Sequence, residues 1–141
     1  MTITYHENAL TADNYRAFQQ AMGWKPENYQ VITKSLAHDL YDVVAMDGER
    51  IVGMGRLVGD AAIYWYIQDL FILTDYQHKG IGTQIVRRLI DHIKTNSLPN
   101  TQLVLSLMSA PGKEGFYEKL GFTRRPHPSA GAGMELEITI P

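Results

Sequence analysis

The stretch DLFILTDYQHKGIGTQIVRRLIDHIK, residues 69–94, changes character twice. It opens as an apolar strand and passes through a turn punctuated by Gly80 and Gly82. Beyond the turn, Ile81, Ile85, Leu89 and Ile93 recur every four residues, which predicts a helix with one buried stripe. A strand, a glycine turn and a helix in this order leave unpaired N–H groups at the helix start. The helix dipole adds positive potential there, and the combination suits a phosphate.

Three phosphate motifs compete for the turn. A Walker A loop needs GxxxxGK[ST], but Gly82 is followed by Thr83 and Gln84. A dinucleotide turn needs GxGxxG, but the third glycine position holds Ile85. What remains is Gln77-x-x-Gly80-x-Gly82, with Lys79 adding charge. Alone, that pattern is equally a tight strand-to-helix turn. The apolar strand before it, the amphipathic helix after it and GFYEKLGF (residues 115–122) downstream favour a ligand loop.

Outward from this core, Ile3 to His6 reads as a first strand and Thr11 as the N-cap of a helix reaching Met22. Gly23 and Pro26 break it. A second helix is expected from Pro26 or Asn28 to Leu40. YDVVAM and RIVGMGRLVG form a hairpin about Asp47-Gly48. AAIYWYIQDLFIL is a long fourth strand and TQLVLSLM a fifth. GKEGFYEKL is a short helix closed by Gly121. GFTRR and MELEITI are expected to close the sheet as a pair. The order is β-α-α-β-β-β-α-β-α-β-β. It implies an α/β (α+β) fold in one domain, residues 1–141. Its central sheet is mixed and mostly antiparallel, with helices on both faces.

Composition fits this picture. The 141 residues are 45% hydrophobic and 20% charged, with a formal net charge of −2. No basic run marks a nucleic-acid partner. With no cysteine, disulfides, thiolate catalysis and Cys-ligated zinc are excluded. The five histidines are scattered without a metal-binding spacing. No signal peptide and no membrane-length apolar run is seen, so a cytoplasmic protein is expected.

LFILTDYQHKGIGTQIV together with GFYEKLGF resembles the GNAT superfamily of N-acetyltransferases, and the element order matches over nearly the whole chain. The resemblance implies acetyl-CoA as co-substrate. Its pantetheine would lie on the backbone of Leu70, Phe71 and Ile72, where the family's strand splays from its neighbour. Its pyrophosphate would sit on the loop Gln77, His78, Lys79, Gly80, Ile81, Gly82 and Thr83. Phe116 and Lys119 would lie near the cofactor, and Tyr117 would be the tyrosine near the thiol. Two positions depart from the family pattern. Thr74 stands where proline is common. Ala110 stands where many members have a cofactor-binding asparagine, with Ser106 or Ser109 as substitutes.

Acetyl transfer needs an uncharged amine, a polarised thioester and a proton for the departing thiolate. An amine of pKa about 10 is neutral in roughly one molecule per thousand at pH 7, so a base helps. Asp69, isolated in an apolar run, is the candidate base, with a structural aspartate at the bulge as the alternative. The Ile72 N–H is the family's donor to the carbonyl. Tyr117 is the candidate acid, against a ring that merely packs its helix. Trp24 and Tyr29 beside the Gly-Pro break suggest an acceptor lid, against a plain core role. Tyr66, expected to face away from Asp69, would line the acceptor pocket. Arg56 reads as a surface residue, with an acidic substrate group as the alternative. The expected acceptor is a small-molecule primary amine. Protein N-terminal or lysine acetylation is the alternative, as is an acyl-CoA-binding module without catalysis. The closing strands are a candidate homodimer edge.

Overall fold

The computed structural model describes residues 1–141. It divides into two compact units, Met1–Leu107 and Met108–Pro141. The first holds β1 (Ile3–Glu7), α1 (Ala12–Ala21), α2 (Tyr29–Leu36), β2 (Tyr41–Asp47), β3 (Arg50–Gly59), β4 (Tyr64–Ile72), α3 (Ile81–Asn96) and β5 (Val104–Ser106). The second holds α4 (Glu114–Lys119). The sheet runs β1-β2-β3-β4-β5, so every strand neighbours its sequence neighbour. The first three pairings are antiparallel and β4–β5 is parallel. This is the mixed, mostly antiparallel GNAT-like α/β sheet that the sequence predicts. No helix is long and apolar enough to cross a membrane.

Local chemistry sets the element ends. Thr11 caps α1 by accepting the Asn14 N–H at 3.1 Å, and Asn28 caps α2 through the Gln30 N–H at 2.8 Å. α2 stops at Leu36 rather than Leu40, because the Leu40 N–H is taken by Leu57 O at 2.8 Å. β4 starts at Tyr64, not Ala61. The Asp60 carboxylate accepts the N–H groups of Ala62, Ile63 and Tyr64, which holds that stretch as a turn.

α3 covers one sheet face, with Ile85, Val86 and Leu89 fully buried. Glycine lets it come close. A Cβ on Gly55 would lie 2.8 Å from Ile85 Cγ2, and one on Gly53 2.8 Å from Ile72 Cδ1. α1 and α2 cover the other face: the Phe18 ring stacks 6.0 Å from Phe71, and Arg56 reaches Ser35.

The expected closing strands are not formed. Residues 121–125 join no ladder, and the loop beyond closes early: His127 and Ala130 exchange both backbone hydrogen bonds. Residues 134–140 keep a strand-like alternation, but Met134, Leu136, Ile138 and Ile140 are 88, 83, 74 and 82% exposed. Alternation alone does not make a strand: it needs backbone partners, and these residues have none.

One partly buried group makes the fold sensitive to pH. His92 of α3 stacks on Tyr41 at 3.8 Å and meets Trp65 edge-on at 6.2 Å. Burial holds its pKa below the usual 6.5, and the Glu7 charge offsets this in part. The unfolded chain therefore takes up this proton at a higher pH than the folded one. Its contribution is complete above pH 6.5 and declines as pH falls toward the folded value. Asp39 and Asp42, both raised mainly by burial, carry the opposite sign at lower pH. Urea midpoints at pH 7.5 and 5.5 should fall more for wild type than for His92→Phe; equal falls would refute the assignment.

Candidate active site

The site begins with a dislocation in β4. Met54 pairs with Phe71 and Arg56 with Gln68, so Gly55 alone opposes both Asp69 and Leu70. This is a β-bulge with its extra residue on β4. Asp69 adopts φ +56°, a conformation that Asp tolerates better than most residues. The bulge re-aims the remainder of the strand. Arg56 and Gln68 are cross-strand partners and share the α1–α2 face, and Tyr66, two residues before Gln68, shares it too. Asp69 also reaches that face, because its carboxylate meets Arg56 and Tyr15. The expectation that Tyr66 and Asp69 point oppositely fails because strict alternation ends at the bulge.

Arg56 is buried, not a surface residue: 3% of it is exposed. Its Nη1 donates to Asp69 Oδ2 at 2.9 Å and its Nε to Asp39 Oδ2 at 3.2 Å. Its Nη2 donates to Ser35 O and Oγ, both at 3.1 Å. The Tyr15 hydroxyl donates to the same Asp69 oxygen at 3.0 Å. Burial, then the Asp69 charge, raises the Tyr15 pKa well above 10.0, so the phenol stays protonated. Two donors thus converge on one oxygen of Asp69. Its other oxygen receives only Gln68 Nε2, at 3.4 Å. Tyr15, Ser35 and Asp39 were not singled out from the sequence. A visible signal existed: an arginine and an aspartate in apolar runs on successive strands call for each other.

Beyond the bulge, β4 has a free side. β5 pairs only with Tyr64, Trp65 and Tyr66, so from Ile67 onward β4 is bonded to β3 alone. Leu73 donates to Val52 O at 2.9 Å. By antiparallel alternation Phe71 also bonds across to β3, while the Ile72 N–H points to the free side. The side chains of Leu70 and Ile72 pack under α3. That of Phe71 is fixed on the opposite face by Phe18 and by Trp24, whose ring meets it edge-on at 4.5 Å. What these three residues offer a ligand is therefore backbone.

The glycine loop leads from this edge into α3. Gln77 turns inward, its Nε2 donating to Ile72 O at 3.1 Å. His78 has φ +60° and Gly80, the N-cap, φ +81°. No side chain caps α3, and none of the N–H groups of residues 78 to 83 has an acceptor within the chain. A Cβ at Gly80 would meet nothing within 4 Å. Lys79 is exposed, its ammonium 5.7 Å from the Tyr76 ring centre. Such a row of amides at the start of a sixteen-residue helix is built for an anion. Beside it, the β4 edge can accept a chain bearing amides.

A separate cavity of about 210 Å³ opens between α1, α2 and β3. Tyr15, Gln19, Glu27, Ser35 and Arg56 give it polar walls, and Ile32 an apolar one. Trp24, Tyr29 and Tyr66 do not line it. Trp24 and Tyr29 are 41% and 46% exposed.

In the second unit, α4 carries Phe116, Tyr117 and Lys119. Tyr117 lies half-buried between Phe116 and Phe122, with ring centres 5.0 and 5.7 Å away. Burial raises its pKa above 10.0. Lys119 is exposed, and Ser109 Oγ donates to Ala110 O at 2.8 Å.

Known proteins share this build. A protein of unknown function from meticillin-resistant Staphylococcus aureus, described as a probable acetyltransferase, is 27% identical with a TM-score of 0.83; the match covers 97% of this chain and 100% of that one. A GNAT-family acetyltransferase from Streptococcus pneumoniae is 26% identical with a TM-score of 0.79, over 98% of each chain. An uncharacterized N-acetyltransferase of Prochlorococcus marinus is 26% identical over 76% of this chain and 59% of its own length. The chain thus spans about three fifths of the first curated relatives it matches. The profile of the acetyltransferase (GNAT) domain matches residues 4–136. As that match omits only the first three and last five of the 141 residues, the chain belongs to the GNAT acetyltransferase family.

Proposed function

We propose that this chain is an acetyl-CoA-dependent N-acetyltransferase whose acceptor is a small primary amine. The observation that carries the reading is the pairing of two backbone surfaces without partners inside the chain. The N–H row of residues 78–83 fits a diphosphate, and the free β4 edge at Leu70–Ile72 fits the amides of pantetheine. The thioester supplies an activated acetyl group.

The rest falls to the chain's own residues. The Ile72 N–H is placed to donate to a carbonyl oxygen as negative charge builds there. Tyr117, kept protonated by burial, is the donor that the family resemblance implies for the departing sulfur. Asp69 is the remaining carboxylate candidate for handling the ammonium proton. The cavity supports a small acceptor. Its volume suits few heavy atoms, and Glu27 offers a carboxylate to an ammonium group.

The test is thermal unfolding with and without acetyl-CoA. At a hundred times its dissociation constant, the ligand should stabilise wild type by about 2.7 kcal/mol. The comparison is Gly82→Asp. Residue 82 lies inside the first turn of α3, where an aspartate favours the helix by about 0.3–1 kcal/mol, so the variant should fold. Its carboxylate would sit where the diphosphate goes, and the ligand shift should vanish. No shift in wild type would sink the reading. A shift without thiol release across an amine panel would leave only an acyl-CoA-binding module.

A further inference from the structure

The cavity between α1, α2 and β3 and the carboxylate of Asp69 are close neighbours that do not touch. Asp69 does not line the cavity, but two of the lining residues, Tyr15 and Arg56, bond to its Oδ2 at 3.0 and 2.9 Å. A side chain that links a cavity-bound amine to Asp69 must be one of these two. Arg56 cannot carry a proton onward, because a guanidinium stays charged and has no acceptor lone pair. A tyrosine hydroxyl has both a proton to give and lone pairs to receive one.

The fold holds Tyr15 well for such a link. It lies on α1 with Gln19 one turn later, and both face the cavity. Phe18 of the same helix stacks 6.0 Å from Phe71, which fixes α1 against the strand that carries Asp69. The Tyr15 hydroxyl thus stands between the cavity and the residue just before Leu70–Ile72, the stretch assigned to pantetheine. Every group in this chain of contacts belongs to the first unit. Glu27 is the carboxylate on the cavity wall itself. It is exposed, its Oε1 accepts the Asn28 N–H at 3.3 Å, and it makes no hydrogen bond to β4. It can hold an incoming cation, but it does not touch the strand where transfer is assigned.

We propose that Tyr15 receives the acceptor nitrogen and relays its proton to Asp69, an inference that rests on the acetyltransferase reading above. The amine electron pair forms the new C–N bond to the acetyl carbon, and the C=O pair moves onto oxygen. The nitrogen, now positive, gives one N–H proton to Tyr15 Oη as the Tyr15 O–H proton passes to Asp69 Oδ2. Collapse of the adduct then breaks the C–S bond, and the thiolate leaves with that electron pair. Asp69 afterwards returns its proton to water. Since one proton reaches Tyr15 as another leaves, no phenolate forms. This accords with a phenol whose proton is held by burial and by the Asp69 charge. Arg56 keeps its own charge throughout and orients the carboxylate.

The first experiment compares Tyr15→Phe with wild type, with ethylamine and trifluoroethylamine as acceptors and thiol release as the readout. The two amines are close in size and far apart in basicity. Phenylalanine keeps the ring and removes the relay. Turnover with ethylamine should fall roughly 10²-fold or more, while the thermal shift with acetyl-CoA stays unchanged. The loss should be much smaller with trifluoroethylamine, whose nitrogen yields its proton to water readily once bonded to carbon. A side chain that only positions α1 would cost both amines alike, so equal losses overturn the relay, as does turnover equal to wild type. The second experiment does not need the variant to fold. A crystal structure of wild type with CoA joined through its sulfur to N-ethylacetamide shows where the nitrogen lies. It should lie within about 3.2 Å of Tyr15 Oη. A nitrogen out of reach of Tyr15, or bonded directly to Asp69 or Glu27, overturns the relay. Failure of the underlying activity looks different: wild type would release no thiol to any amine. Failure of the relay alone leaves wild type active and Tyr15→Phe unimpaired.

Discussion

Arg56→Met is expected to lower stability by about 3–5 kcal/mol, a large share of what a domain this size possesses. The arginine itself is not the main loss. Its removal strands two carboxylates, Asp69 and Asp39, whose side chains are 9% and 10% exposed. Each would have to stay charged without a cationic partner or bind a proton. Methionine keeps much of the volume, so the cost reports charge more than packing. A double-mutant cycle with Asp69→Asn separates the two: with the carboxylate gone, the same Arg56→Met change should cost markedly less. Equal costs in both backgrounds would mean that the Asp69 pairing contributes nothing, leaving Asp39 and packing as the source of the cost.

Tyr117→Phe should lower turnover by roughly 10²–10⁴-fold while the affinity for CoA stays within about twofold, the signature of a group acting in the transition state. Two properties of the side chain motivate this. Its hydroxyl makes no hydrogen bond within the chain, and burial holds its proton against loss near neutral pH. A free, protonated phenol is what a departing thiolate requires. Because the ring and its contacts with Phe116 and Phe122 survive in phenylalanine, the melting temperature should barely move. A variant with unchanged kcat would reduce Tyr117 to a packing residue.

The sequence was most legible where the chain pairs with itself nearby. The alternating runs around Asp47-Gly48, the period of four in α3 and the Thr11 cap all act locally, and all were realised. The glycine loop was legible for a related reason: Gly80 takes a backbone angle that few other residues accept. Arg56 was misread because its partners come from α2 and β4, and sequence spacing does not announce such a meeting. The Asp69 bulge was likewise hidden. Asp69 was singled out by its charge, but the slip that sends Tyr66 to the same face depends on how β3 and β4 count residues against each other. Residues 134–140 were expected as a closing strand and form none, since an alternating pattern does not by itself supply a ladder partner.

The order of strands across the sheet also bears on how the protein assembles. β1 through β4 pair in chain order. β2–β3 and β3–β4 close through short turns, and only β1–β2 encloses α1 and α2. β4–β5 instead waits for a crossover through sixteen residues of α3 and its flanking loops. Closing short loops first is entropically cheaper, and parallel pairing is the slower kind. The meander should therefore form early, and the pairing of β5 with Tyr64–Tyr66 of β4, which fixes where the free side beyond Ile67 begins, should close last. Pulse-labelled hydrogen exchange during refolding reads this directly: β2 and β3 amides should gain protection before those of β5. Ligand-binding competence would then be the final property the chain acquires, and the first that a weakened variant surrenders.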